Sequence, residues 1–187
     1  ARYVVGLKYY RGEGVEMDLE EAKRWYTIAY ENGNIGAATD LGYLEYGEYP
    51  EKAIEWFRRA AEQGNSYGQY NLARHYHWGM GVAKDYSEAL KWYSKSAENN
   101  NPLAYNNIGV MYAEGKGVDI DFCKAREYYT KALEHNGYYA ISNIAYLRFS
   151  GQGIEKDFHE SIRIYRDGIQ RYKHLLSLLH KQQQRYI

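Results

Sequence analysis

The chain has 187 residues, and its 24 Lys and Arg are matched by 24 Asp and Glu, so it carries no net charge with histidines neutral. No basic tract offers the dense positive surface that phosphate contacts need, which argues against nucleic acid as the main ligand. Cys123 is the only cysteine, so no disulfide can form within the chain, and no apolar run approaches the ~18 residues that a membrane-crossing helix requires.

Five copies of one pattern follow each other. Each is marked by a small residue in its first helical stretch: Gly6, Gly42, Ala73, Gly109 and Ala145, at gaps of 36, 31, 36 and 36 residues. A fixed period of this size predicts a solenoid in which each unit buries its apolar face against the next. A large apolar residue precedes each marker (Val5, Leu41, Leu72, Ile108, Ile144), and Tyr9, Tyr76 and Tyr112 lie three positions after it; Glu45 and Arg148 break that column.

A Gly-x-Gly-aliphatic step follows in four copies (Gly12 to Val15, Gly79 to Val82, Gly115 to Val118, Gly151 to Ile154). An aspartate stands three residues on: Asp18, Asp85, Asp121 and Asp157. The first glycine can take the left-handed conformation that ends a helix, and the aspartate can cap the next one. Glu21, Glu88 and Glu160 sit where a reciprocal capping box would place them. An aromatic pair between small residues then recurs, as in Ala22/Trp25-Tyr26/Ala29 and Ala89/Trp92-Tyr93/Ser96. Offsets of 3, 4 and 7 put these residues on one helical face, so the unit reads as helix, tight turn, helix. The second copy lacks five residues in its turn, which predicts a shorter loop with Pro50 near the first helical position.

These columns resemble the Sel-one-like repeat (SLR) family, relatives of the tetratricopeptide repeat. The third copy carries the resemblance best, in Leu72-Ala73, Tyr76, Gly79, Gly81-Val82, Asp85, Ala89, Trp92-Tyr93, Lys95 and Ala97-Glu98. The expected fold is all-α, an α/α solenoid of about five helix-turn-helix repeats over 1–34, 35–65, 66–101, 102–137 and 138–170, with a C-terminal capping helix and tail over 171–187.

Toward the C-terminus, Phe158, Ile162, Tyr165, Ile169, Tyr172, Leu176 and Leu179 are spaced 4-3-4-3-4-3, an a/d stripe over about three heptads. Gly168 either lies within one long helix or divides it into two. A cap folded onto the last repeat competes with a docking or dimer seam. The polar tail from Lys181 to Arg185 is expected to fray.

No catalytic constellation emerges. The glycine steps follow helices and lack the Lys-Ser/Thr of a phosphate loop. His75 and His77 stand two apart on a helix and point in different directions, so they form no metal pair. Cys123 reads as a partly buried structural thiol, and paired glutamates such as Glu20-Glu21 read as helix-start charges. The chain is expected to be a non-enzyme without cofactor or metal.

The resemblance implies that the first helix of each pair lines an inner, concave face. Offsets −3, +1, +4 and +5 from the marker residue then look into the groove. They supply Tyr10, Arg11, Tyr43, Tyr46, Tyr70, Arg74, His77, Trp78, Asn106, Tyr146 and Phe149 as candidate partner contacts. Tyr and Trp dominate interface hot spots, Arg11 and Arg74 suit a partner carboxylate, and Asn106 suits a peptide backbone. The resemblance implies a scaffold or adaptor for a peptide or protein, of host-interaction, signalling or toxin-inhibitor type. The alternatives are a regulatory or targeting arm of a larger enzyme and a carbohydrate or cell-wall binder. Ala1 already lies inside the first helical pattern, so the compartment stays open between cytoplasm and periplasm or exterior.

Overall fold

The structure is a computed structural model that describes the backbone of residues 1–183 and the side chains of residues 1–174. Ten helices and no strands occur among the described residues. They form antiparallel hairpins in two compact units, and the fold is an α/α solenoid type. The first unit, Ala1–Asn101, holds α1 (Arg2–Arg11), α2 (Leu19–Glu31), α3 (Ile35–Glu45), α4 (Pro50–Glu62), α5 (Ser66–Trp78) and α6 (Tyr86–Glu98). The second unit holds α7 (Pro102–Glu114), α8 (Phe122–Glu134), α9 (Ala140–Ser150) and α10 (Phe158–Gln183).

Three of the hairpins are locked where a marker glycine meets an aromatic ring. A Cβ on Gly6 would lie 2.7 Å from Tyr26, one on Gly42 2.5 Å from Phe57, and one on Gly109 2.6 Å from Tyr129. A mid-helix glycine costs about 1 kcal/mol relative to alanine, but a fully buried ring contributes roughly 2–3 kcal/mol, so the exchange favours the close-packed pair. The following first helix then covers the ring from the other side. Ala37 and Leu41 of α3 pack with Tyr26, and Ala140 and Leu147 of α9 pack with Tyr129.

The turns form as the glycines and aspartates dictate, with one difference. Gly12, Gly79 and Gly151 cap their helices at φ of 69°, 72° and 74°. Asp18, Asp85, Asp121 and Asp157 each accept backbone N–H bonds from the first turn of the next helix. The reciprocal half of the expected capping box does not form. The aspartate's own N–H is already used: Asp18, Asp85, Asp121 and Asp157 donate to the carbonyls of Tyr9, Tyr76, Tyr112 and Arg148 on the preceding helix. The glutamates turn outward and pair instead with Arg24, Lys91 and Arg163.

The second glycine of the step has a separate task. A Cβ on Gly81 would lie 2.5 Å from the Pro50 backbone, and one on Gly153 2.6 Å from that of Phe122. The turn of one repeat therefore rests directly on the start of the preceding repeat's second helix. Pro50 occupies the first turn of α4, as the shortened second copy predicts.

Between repeats the chain reverses through left-handed residues at one register position: Gly33, Gly64, Asn100 and Asn136, with φ between 57° and 87°. In the last copy that position is Tyr172, and it is helical. Gly168 does not divide the segment either; α10 runs unbroken from Phe158 to Gln183. Gly168 instead lets α10 approach α9, since a Cβ there would lie 2.5 Å from Ile141. Residues 171–183 thus extend the fifth repeat's own second helix and do not form a separate cap. The stripe positions Leu176 and Leu179 and the end of the expected fraying tail lie outside the described side chains and residues.

Candidate partner-binding face

In the first unit, the offsets expected to face a partner in the second and third repeats bring aromatic and basic groups together. The Arg74 guanidinium lies 5.5 Å from the ring centre of Tyr46 and 5.8 Å from that of Tyr70, and it donates to the Tyr46 hydroxyl at 2.9 Å. No carboxylate pairs with Arg74 among the described residues. Two rings and one hydroxyl therefore hold a cation in a fixed pose at a half-buried site, where it interacts more strongly with an incoming anion than a free surface charge would. Tyr70 leans on Tyr93 at 5.9 Å. Tyr43 stands edge-on to Phe57 at 5.5 Å, and its hydroxyl accepts from Asn71 Nδ2 at 2.8 Å. Tyr43 and Trp78 remain exposed, Trp78 at 57%.

His77 departs from the expectation. It is only 2% exposed, and its ring packs against Trp78 at 4.7 Å and edge-on to Tyr86 at 5.4 Å. It supports the Trp78 indole from beneath and is not presented to a partner. His75 is fully buried as well; its Nδ1 meets the Met80 carbonyl at 2.6 Å, and burial lowers its pKa below the usual histidine range. Among the described residues no group of His, Cys, Asp and Glu could hold a metal ion. On α1, Tyr10 is exposed, whereas Arg11 already pairs with Glu13 in the turn.

In the second unit, Asn106 does not stand alone. Its Oδ1 accepts from Asn143 Nδ2 at 2.9 Å, which ties α7 to α9. Tyr146 and Phe149 are exposed, and Tyr146 borders a cleft of about 460 Å³ whose other walls include Val110, Ala113 and Glu114. Cys123, expected to be partly buried, is exposed at the start of α8, its Sγ 3.7 Å from the Gly153 carbonyl. The Gly153 turn that meets the thiol has no side chain to shield it.

Sequence reasoning missed a polar column two residues before the last four markers: Asp40, Asn71, Asn107 and Asn143. Polar residues recurring inside otherwise apolar helices were the available signal. Asn71 orients Tyr43, Asn143 orients Asn106, and burial raises the Asp40 carboxyl's pKa while a bond from Tyr3 opposes the rise.

The Sel1 repeat model matches residues 1–34, 36–65, 66–101, 102–137 and 139–166. The chain belongs to the Sel1 repeat family. A solved structure of a protective antigen of uropathogenic Escherichia coli with an SLR fold is 32% identical, with a TM-score of 0.81 over 91% of this chain and 38% of that one. A Sel1 repeat protein from Oxalobacter formigenes is 30% identical, with a TM-score of 0.83 over 91% of this chain and 71% of that one. The ERAD-associated E3 ubiquitin-protein ligase component HRD3B of Arabidopsis thaliana is 36% identical over 96 residues, which span 48% of this chain and 15% of the plant protein. The chain thus spans a small part of that longer relative. Sel1 repeat proteins are generally non-catalytic protein–protein interaction scaffolds. No helix among the described residues is long and apolar enough to cross a membrane.

Proposed function

We propose that this Sel1 array is a non-catalytic scaffold that binds a peptide or protein segment on the inner, concave face of its first helices. The aromatic and basic cluster of α3 and α5 is the principal contact. The observation that carries this reading is Arg74, clamped by Tyr46 and Tyr70 and paired with no carboxylate among the described residues. A prepaid orientation costs the partner little entropy. The exposed faces of Tyr43 and Trp78 beside it supply rigid apolar area. The chemistry that fits is an extended segment with a carboxylate at the Arg74 position and apolar side chains against Trp78. Roles in host interaction, signalling or toxin inhibition are compatible with such a face, and the partner decides among them.

Selection of a random displayed peptide library on the whole chain tests the reading. Enriched sequences carrying Asp, Glu or a free C-terminus next to an aromatic or aliphatic residue support it, provided they are lost on Arg74→Ala. Enrichment that persists unchanged on Arg74→Ala, or glycan binding in place of peptide binding, contradicts it.

A further inference from the structure

The fourth repeat lacks a ring that the others carry. Four residues after the marker stand Tyr10, Tyr46, His77 and Phe149, but Ala113 in the fourth copy. Thirteen residues after the marker, the second helices of the last three copies open with Tyr86, Phe122 and Phe158. In the third and fifth copies these two positions meet: the ring centres of His77 and Tyr86 lie 5.4 Å apart, and those of Phe149 and Phe158 5.3 Å apart. His77 also reaches Tyr93, at 6.1 Å. In the fourth copy Phe122 and Tyr129 keep their half of this arrangement, and Ala113 leaves the other half open. The cleft of about 460 Å³ lies there, with Ala113, Phe122 and Tyr129 in its walls beside Tyr146 and Leu147 of α9. The fourth and fifth repeats flank it on both sides, so its opening owes nothing to where the chain ends.

The walls select the occupant. Glu114 takes the place that Trp78 holds beside His77, and it is the one charged side chain among the described residues that line the cleft. Its Oε2 pairs with Lys116 at 2.6 Å, and a carboxylate engaged at one oxygen still accepts further hydrogen bonds. The influence of Glu114 reaches the floor of the cleft: after burial, it is the second cause that raises the pKa of the Tyr129 phenol. A ring that donates an N–H is favoured in such surroundings, and an anion is repelled. An aliphatic side chain would fill the space but would leave the ring-on-ring contacts with Phe122 and Tyr146 unmade.

We propose that this cleft is a pocket for one aromatic side chain of the bound peptide, a ring with an N–H donor, which completes the fourth repeat as His77 completes the third. The ring packs on Phe122 and Tyr129 over Ala113, and its N–H donates to the Glu114 carboxylate. Ala113 and Glu114 are then the residues that set specificity at this repeat. The proposal rests on the reading that the first helices take a peptide, and it adds the identity of a further side chain to that peptide.

Amide NMR titration of the whole chain with N-acetyl-tryptophanamide, N-acetyl-phenylalaninamide and N-acetyl-leucinamide tests the proposal. The tryptophan probe is expected to bind saturably, with a Kd on the order of a millimolar for a single side chain, and to shift the amides of Ala113, Glu114 and Tyr146. The phenylalanine probe is expected to bind about fivefold more weakly for want of the N–H donor, and the leucine probe more weakly still. Ala113→Phe, which supplies the missing ring from within the chain, is expected to abolish binding of all three without lowering the melting temperature. Glu114→Ala, at an exposed position, is expected to erase the preference for tryptophan over phenylalanine. No saturable shift at these amides, no preference for tryptophan over the other two probes, or a preference that survives Glu114→Ala overturns the proposal. If peptide selection yields Arg74-dependent binders while the probe ignores this cleft, the pocket fails and the Arg74 reading stands. If the probe fills the cleft while selected peptides are indifferent to Arg74→Ala, the pocket stands and the Arg74 reading fails.

Discussion

Lys23 on α2 reaches across to Glu45 on α3 and pairs with its carboxylate, which is 5% exposed at the side chain. Glu45 stands where other repeats place Tyr9, Tyr76 and Tyr112. The second repeat has thus exchanged an aromatic contact for an ion pair between neighbouring repeats. The bond to Glu45 raises the Lys23 pKa above its usual value, so the pair stabilises the fold at and below the ordinary lysine pKa and loses its contribution as pH rises through the higher folded value.

Removing one partner should hurt more than removing both. Lys23→Met leaves a buried carboxylate without its cation and is expected to cost about 2–3 kcal/mol, toward the low end for a buried pair because Lys23 is itself partly exposed. Adding Glu45→Tyr to that variant restores the column residue and is expected to recover most of the loss. Urea denaturation of the single and double variants checks this; a neutral Lys23→Met would show that Glu45 is satisfied by water.

The second glycine of the step should differ in sensitivity from one repeat to another. Gly153 combines φ of 67° with a Cβ position 2.6 Å from Phe122 backbone, whereas Gly14, at φ of 76°, has nothing within 4 Å. Gly14→Ala should cost about 1 kcal/mol for backbone strain alone. Gly153→Ala should cost at least twice that, roughly 2–4 kcal/mol, because backbone must move. Equal thermal shifts for the two variants would contradict the stacking role given to the second glycine.

Alkaline titration should unfold the chain through its tyrosines. Burial, the largest cause, pushes the phenols of Tyr26, Tyr93 and Tyr129 well above their ordinary value. A raised folded pKa means that stability is complete below about pH 10, where the unfolded phenol also stays neutral, and is lost as pH rises further. Phenolate absorbance near 295 nm and helical circular dichroism near 222 nm should therefore show a shared transition for the buried class, above the exposed tyrosines. Ionisation of every tyrosine near pH 10 with helicity intact would contradict their burial.

The periodic part of this architecture was legible in the residues because marker glycine, aromatic pair and capping aspartate are each dictated by local physics. Features that depend on which group reaches a site first were not. The capping box looked complete in Asp18 and Glu21, but Tyr9's carbonyl takes the aspartate N–H. His77 occupies an inward offset, yet the ring finds a slot between Trp78 and Tyr86 and stays there. Glu45 and the Asn143–Asn106 bond depend on neighbours 22 and 37 residues away. The a/d spacing after Phe158 announced an apolar stripe, but spacing alone does not say whether anything covers it.

The Arg74 cluster is the proposed place where a partner is held. Isothermal titration of a peptide selected on the wild-type chain, repeated with Trp78→Ala and with Arg74→Ala, tests it most directly. Each substitution is expected to weaken binding by about 2 kcal/mol, near thirtyfold, with the melting temperature nearly unchanged. Full affinity in both variants, with the fold intact, would place the partner elsewhere on the molecule.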